Sequence, residues 1–109
     1  MLADDALPVL AAIAHPTRLA AFRLLVQHEP EGLSTGQLVA ASGLSQSTFS
    51  THLAVLAKAG LVTPEKRGRR MIQRANLDAL RGLMLFLAKD CCQGRTELCE
   101  PLIADLACC

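Results

Sequence analysis

Ser34-Thr35-Gly36-Gln37-Leu38-Val39-Ala40-Ala41-Ser42-Gly43-Leu44-Ser45-Gln46-Ser47-Thr48-Phe49-Ser50-Thr51-His52-Leu53 is the stretch that decides the fold. It holds two helix starts. Ser34 with Gln37 three residues on has the capping-box spacing, in which two side-chain oxygens satisfy backbone N–H groups that a helix start leaves without partners. Leu38 and Val39 anchor this helix, and Gly43 ends it. Ser45 opens the next helix, whose inward face is Phe49, Leu53 and Leu56 at i, i+4 and i+7. Joined by Ala41-Ser42-Gly43-Leu44, the two have helix-turn-helix form. The second helix of such a unit enters the major groove with its N-terminal residues at base edges. Here those are Ser45, Gln46, Ser47 and Thr48, then Ser50, Thr51 and His52 one turn on. Hydroxyls and an amide hydrogen-bond phosphates and base edges well and pack a core poorly. A merely solvated helix face would explain the hydroxyls but not the basic segment downstream of them.

That segment begins where Lys58 and Gly60 close the helix as a C-terminal cation and a cap glycine. Two short strands are expected at about 61–65 and 71–75, with Lys66-Arg67-Gly68-Arg69-Arg70 as the hairpin tip between them. Residues 58–74 carry Lys58, Lys66, Arg67, Arg69, Arg70 and Arg74 against Glu65 alone, although the whole chain has a net charge of only +1. A local basic patch on a near-neutral chain points to a polyanion at one face. A winged helix-turn-helix uses this tip on the DNA backbone or minor groove, with Lys66, Arg67, Arg69 and Arg70 supplying phosphate affinity.

Upstream, Pro8 suits a first helical turn, with Val9, Leu10 and Ile13 as its apolar continuation. His15-Pro16 breaks the chain before a second helix from about Thr17 to His28. The last long helix is expected from near Asn76 to about Cys92. Leu77, Leu80, Met84, Leu87 and Cys91 repeat in it at 3-4-3-4 spacing, a heptad seam. The fold class is therefore mainly α with a small β-hairpin, a winged helix-turn-helix over residues 1–90. Residues 91–109 form a separate cysteine-rich tail.

The resemblance is specific at three places. His15-Pro16-Thr17-Arg18, the run from Leu44 to Leu53, and Ala59-Gly60-Leu61-Val62 are similar to the ArsR family of metal-responsive repressors. The similarity spans about residues 5–90. It implies a homodimer built on the first and last helices that binds double-stranded operator DNA and is released by inducer. Two inducer sites of the family are missing here. Residues 37–42 hold no thiol where one site has Cys-x-Cys, and no histidine comes after residue 52 to complete a zinc site with Asp78.

All five cysteines of the chain lie between residues 91 and 109: Cys91, Cys92, Cys99, Cys108 and Cys109. Clustered thiolates are the protein's best ligands for soft metals and metalloids. Cys91, Cys92 and Cys99 form a three-thiolate set without histidine, which suits a trigonal soft centre such as trivalent arsenic (arsenite), antimonite or methylarsenite. Structural zinc takes four ligands. With Cys108 or Cys109 as a fourth donor, zinc, cadmium or lead stays open, and the terminal pair is an auxiliary site. The Cys-Cys…Cys pattern also resembles the metalloid site of some arsenic-responsive family members. A thiol redox repressor is the remaining alternative, although Asp90, Glu97 and Glu100 would raise the thiol pKa values. No nucleophile–base pair or phosphate loop is visible, so no enzyme is expected. No apolar run reaches the ~18 residues of a membrane span, and the N-terminus lacks the basic start of a signal peptide. The expected setting is cytoplasmic, with thiols reduced.

Overall fold

The computed structural model describes residues 2–88, Pro101, Ala104 and Asp105. The elements run α1 (Ala3–Ile13), α2 (Pro16–Gln27), β1 (Leu33–Ser34), α3 (Thr35–Ser42), α4 (Gln46–Lys58), β2 (Val62–Arg67), β3 (Arg70–Ala75) and α5 (Leu77–Ala88). The five helices surround a core of Phe22 and Leu25 from α2, Leu38 from α3, and Phe49, Leu53 and Leu56 from α4. Leu61 and Val62 extend that core into the sheet, while Val9 and Leu83 bring in α1 and α5. The sheet is antiparallel in the order β1-β3-β2.

Local chemistry sets the helix ends. Ser34 Oγ accepts the Gln37 N–H at 3.1 Å and Gln37 Oε1 accepts the Ser34 N–H at 2.8 Å, so the capping box forms in both directions. Gly43 closes α3 at φ +72°, a left-handed conformation that glycine adopts at no steric cost. His15 caps α2, its Nδ1 accepting the Thr17 N–H at 3.1 Å. Arg18 reaches back from α2 and donates Nε to the Ala12 carbonyl at 2.6 Å, placing a cation at the C-terminus of α1.

Three expectations need correction. The first helix starts at Ala3, so Pro8 lies inside it rather than in its first turn. The Asp5 carboxylate accepts the Leu2 N–H at 3.1 Å and, with Asp4, puts negative charge at the helix start, where the macrodipole favours it. The hairpin strands pair on to Arg67 and Arg70, which shrinks the tip to Gly68-Arg69. A third strand also joins the sheet: β1 pairs Leu33 with Gln73 and Ser34 with Ile72. A two-residue strand has no period to read, so it leaves no trace in the sequence.

In α5, Leu83 is the buried residue, and Leu80 and Phe86 pack half-buried beside it. Leu77, Met84, Leu85 and Leu87 are exposed, as are Leu2 and Leu7 on α1. The expected heptad seam is therefore split: Leu80 leans on the subunit's own core while Leu77, Met84 and Leu87 remain uncovered. The expected continuation of α5 to Cys92, and all five cysteines, lie outside the described residues.

Candidate nucleic-acid interface

The recognition helix is held by one buried ring. Phe49 is 1% exposed and, with Leu53 and Leu56, fixes α4 to the core. Its neighbours Ser45, Gln46, Ser47, Thr48, Ser50 and Thr51 are all exposed. The hydroxyls at the start of α4 are partly used by the helix itself. Ser45 Oγ accepts the Thr48 N–H at 3.3 Å and donates to Thr48 Oγ1 at 2.9 Å. Thr51 Oγ1 donates to the Ser47 carbonyl at 3.2 Å. Ser45 and Thr48 thus organise the helix start, whose N–H groups and positive dipole end suit a phosphate. Gln46 and Ser50 make no side-chain hydrogen bond among the described residues and stand ready to read an edge.

His52 is set apart from this group. Its ring packs on His15 with centroids 4.4 Å apart and planes tilted by 35°. Its Nδ1 is buried without a hydrogen-bond partner among the described residues. Burial, then His15, then Arg18 hold its pKa below the ordinary histidine value. The structure therefore turns this expected DNA contact toward the α2 cap, where the neutral ring is favoured.

The wing divides its cations. Lys66, Arg69 and Arg70 are exposed at or beside the Gly68-Arg69 turn. Gly68 sits at φ +63°, as a two-residue hairpin turn requires at its first central position. Arg67 instead donates Nη2 to Glu65 at 3.1 Å and Nη1 to the Glu31 carbonyl at 3.2 Å. Arg74 donates Nη2 to Glu29 at 2.8 Å and lies 3.8 Å from Glu65. The Arg67 hydrogen bond holds the Glu65 carboxyl below its usual range, helped by both arginine charges. The Arg67–Glu65 pair is half-exposed, and such pairs contribute little and open readily. Arg67 can therefore turn to a phosphate, whereas Arg74 is committed to the protein. The Glu29–Arg74 contact spans 45 residues of sequence, which is why charge counting alone misses it.

Among the described residues no three His, Cys, Asp or Glu side chains gather as a metal site. No single described helix is long and apolar enough to cross a membrane. The arrangement is an exposed polar helix face beside a cationic hairpin, suited to a duplex backbone and groove.

The comparisons agree with this geometry. Residues 13–65 match a helix-turn-helix domain family. The chain is 30% identical to the HTH-type transcriptional regulator YgaV of Escherichia coli over 90 residues, covering 83% of this chain and 89% of that one. It superposes, with a TM-score of 0.65 and 28% identity, on the homodimeric winged helix-turn-helix DNA-binding domain of a possible ArsR-family transcriptional regulator from Mycobacterium bovis, covering 77% of this chain and 76% of the other. A third similar structure, a possible transcriptional regulator for arsenical resistance, gives a TM-score of 0.63 at 35% identity, covering 88% of this chain and 93% of the other.

Proposed function

The chain belongs to the DNA-binding helix-turn-helix transcriptional regulators of the ArsR type, and we propose that it is a homodimeric repressor released from its operator by trivalent arsenic. The observation that carries the reading is the position of Cys91, Cys92 and Cys99 directly beyond α5, in a chain whose other residues hold no thiol except the terminal Cys108 and Cys109. Three thiolates match the valence of a trigonal soft centre, and a methylated centre needs only two. One similar protein is itself described as a possible regulator for arsenical resistance, which supports this choice of inducer.

Residues 91–109 act in this reading as a sensing tail joined to the dimer helix. The uncovered Leu77, Met84, Leu85 and Leu87 of α5, with Leu2 and Leu7 of α1, supply the apolar face that a second copy would cover. The homodimeric state of the Mycobacterium bovis domain supports that assembly. Two recognition helices meet successive major grooves when they lie roughly 34–36 Å apart. A small rotation at the α5 seam changes that spacing. A ligand shifts the balance only by its differential affinity for the two states, so the DNA-competent dimer must hold the three thiols in a poorer arrangement for binding.

The test is a titration of the reduced operator complex with arsenite, antimonite, methylarsenite, zinc, cadmium, lead and peroxide, read by fluorescence anisotropy. Release by the trivalent metalloids at about one per chain is expected. Release by zinc, cadmium or lead alone would make the protein a metal sensor. Release by peroxide alone would make it a thiol redox switch.

A further inference from the structure

We propose that Glu29 is a positioning residue for DNA binding, setting the angle at which the wing presents Lys66, Arg69 and Arg70 to the duplex. It lies just beyond α2, and its side chain is only 11% exposed. The carboxylate accepts Arg74 Nη2 at 2.8 Å, Arg74 Nε at 3.5 Å and the Ala75 backbone N–H at 3.1 Å. Both partners belong to the base of β3. Next along that strand, Gln73 is buried and donates Nε2 to Thr35 Oγ1 at 3.1 Å. Gly32 presses on the same strand, since a Cβ there would come within 2.5 Å of the Gln73 carbonyl oxygen. Three successive β3 residues are thus fastened to residues 29–35, the segment that leads into the helix-turn-helix through Thr35 at the start of α3.

The wing is a lever on this base. Five residue steps separate Ala75 from Arg70, about 17 Å at a strand's rise per residue. A 10° swing at the base would then move the tip by about 3 Å. A hydrogen bond tolerates only a few tenths of an ångström. The ion pair joins the strand to a different part of the chain, so its loss frees the angle without removing a tip cation. Hydrogen bonding to Glu29, then its charge, holds Arg74 above its ordinary pKa, as a strongly engaged guanidinium should be.

This inference rests on the reading of the wing as a DNA-backbone contact. Electrostatics and positioning make opposite forecasts for Glu29→Gln. The substitution removes a negative charge and leaves Arg74 uncompensated, so charge alone would tighten DNA binding and steepen its salt dependence. Positioning requires looser binding and a shallower salt slope.

The experiment measures operator affinity of the full-length protein at several salt concentrations for wild type, Glu29→Gln, Arg69→Ala with Arg70→Ala, and the triple variant. The double arginine variant should lower the salt slope by about two units, one per lost phosphate contact. Glu29→Gln should lower it by about one to two units and weaken binding to all duplexes alike. In the triple variant Glu29→Gln should add nothing, because the tip it positions has lost its cations. A merely structural loss would reduce the active fraction at unchanged slope and would persist in the triple variant. Should Glu29→Gln fail to fold, Thr35→Val, which removes the acceptor for Gln73, must give the same pattern. If the double arginine variant leaves the slope unchanged, the wing reading fails and this inference with it. If that variant lowers the slope while Glu29→Gln (or Thr35→Val in its place) keeps or steepens it, only the inference fails.

Discussion

Helices α4 and α5 are nearly the same length, and each is amphipathic, yet they leave opposite kinds of surface uncovered. α4 buries Phe49, Leu53 and Leu56 and shows Gln46, Ser47, Ser50 and Thr51. α5 fully buries only Leu83 and shows Leu85 at 61% and Leu87 at 55% exposure. An exposed polar face needs no partner to be stable in water, so it is free to be used by a ligand. An exposed apolar face of this extent is a cost that a second copy of the chain relieves. The same small domain thus offers one helix to DNA and another to itself. In the proposed switch, the thiols lie beyond the end of the second helix and act on the spacing of the first.

The most severe way to break the comparison is to make α5 resemble α4. Leu85→Glu with Leu87→Glu puts charge on the uncovered face without touching Leu83 or Leu80. Sedimentation should show a folded monomer, and operator affinity should fall by about 10²–10⁴, the gain that bivalent engagement supplies. A variant that still sediments as a dimer would place the subunit interface elsewhere.

The next prediction sharpens the contrast in monomer energetics. Phe49→Ala should cost about 3–5 kcal/mol of stability, because it leaves a cavity under the recognition helix. Leu85→Ala, made in the monomeric background, should cost less than about 1 kcal/mol, since its side chain leaves water for nothing there. Denaturant unfolding followed by circular dichroism separates the two.

A smaller effect belongs to the helix that supports α4. Ser34→Ala removes the Gln37 N–H acceptor and should destabilise the fold by about 1 kcal/mol. Its dimerisation should stay intact, which the same unfolding data, taken at several protein concentrations, will show.

The smallest effect is the pH response of His52. Its folded-state pKa lies below 6.5, so the unfolded chain binds the proton more readily. Its contribution to stability is complete above pH 6.5 and is lost as pH falls through and below that value. His52→Gln should therefore flatten the acid-side loss by no more than about one proton's worth of slope. An unchanged slope would mean that His15 packing carries no protonation cost.

How legible the molecule is in its sequence depends on the range of the interactions. The Ser34–Gln37 box, the Ser45 cap, Gly43, the inward trio of α4 and the glycine-bearing tip are all local chemistry, and all of them can be read. What escapes depends on distant residues or on competing signals. The start of α1 near Ala3 is set partly by an Asp5 cap that the Pro8 signal obscures. β1 exists only because β3 lies beside it. Leu83 is hidden because the heptad spacing through Leu80 is complete without it, and only the packing of α1 on α5 decides which stripe turns inward. Arg67 and Arg74 count alike as wing cations, yet Glu29 and Glu65 sort one into a loose surface pair and the other into the anchor of the wing. Chemistry-bearing residues can be named from composition and spacing; their division of labour cannot.

One measurement tests the central claim most directly: arsenite titration of a fluorescent operator duplex bound by wild type, by Cys91→Ser, Cys92→Ser and Cys99→Ser singly, and by Cys108→Ser with Cys109→Ser. All variants should bind the operator as wild type does before arsenite is added. Each of the first three should then lose or blunt release, and the terminal double variant should release DNA as wild type does. Release that survives without Cys99 but requires the terminal pair would contradict the account.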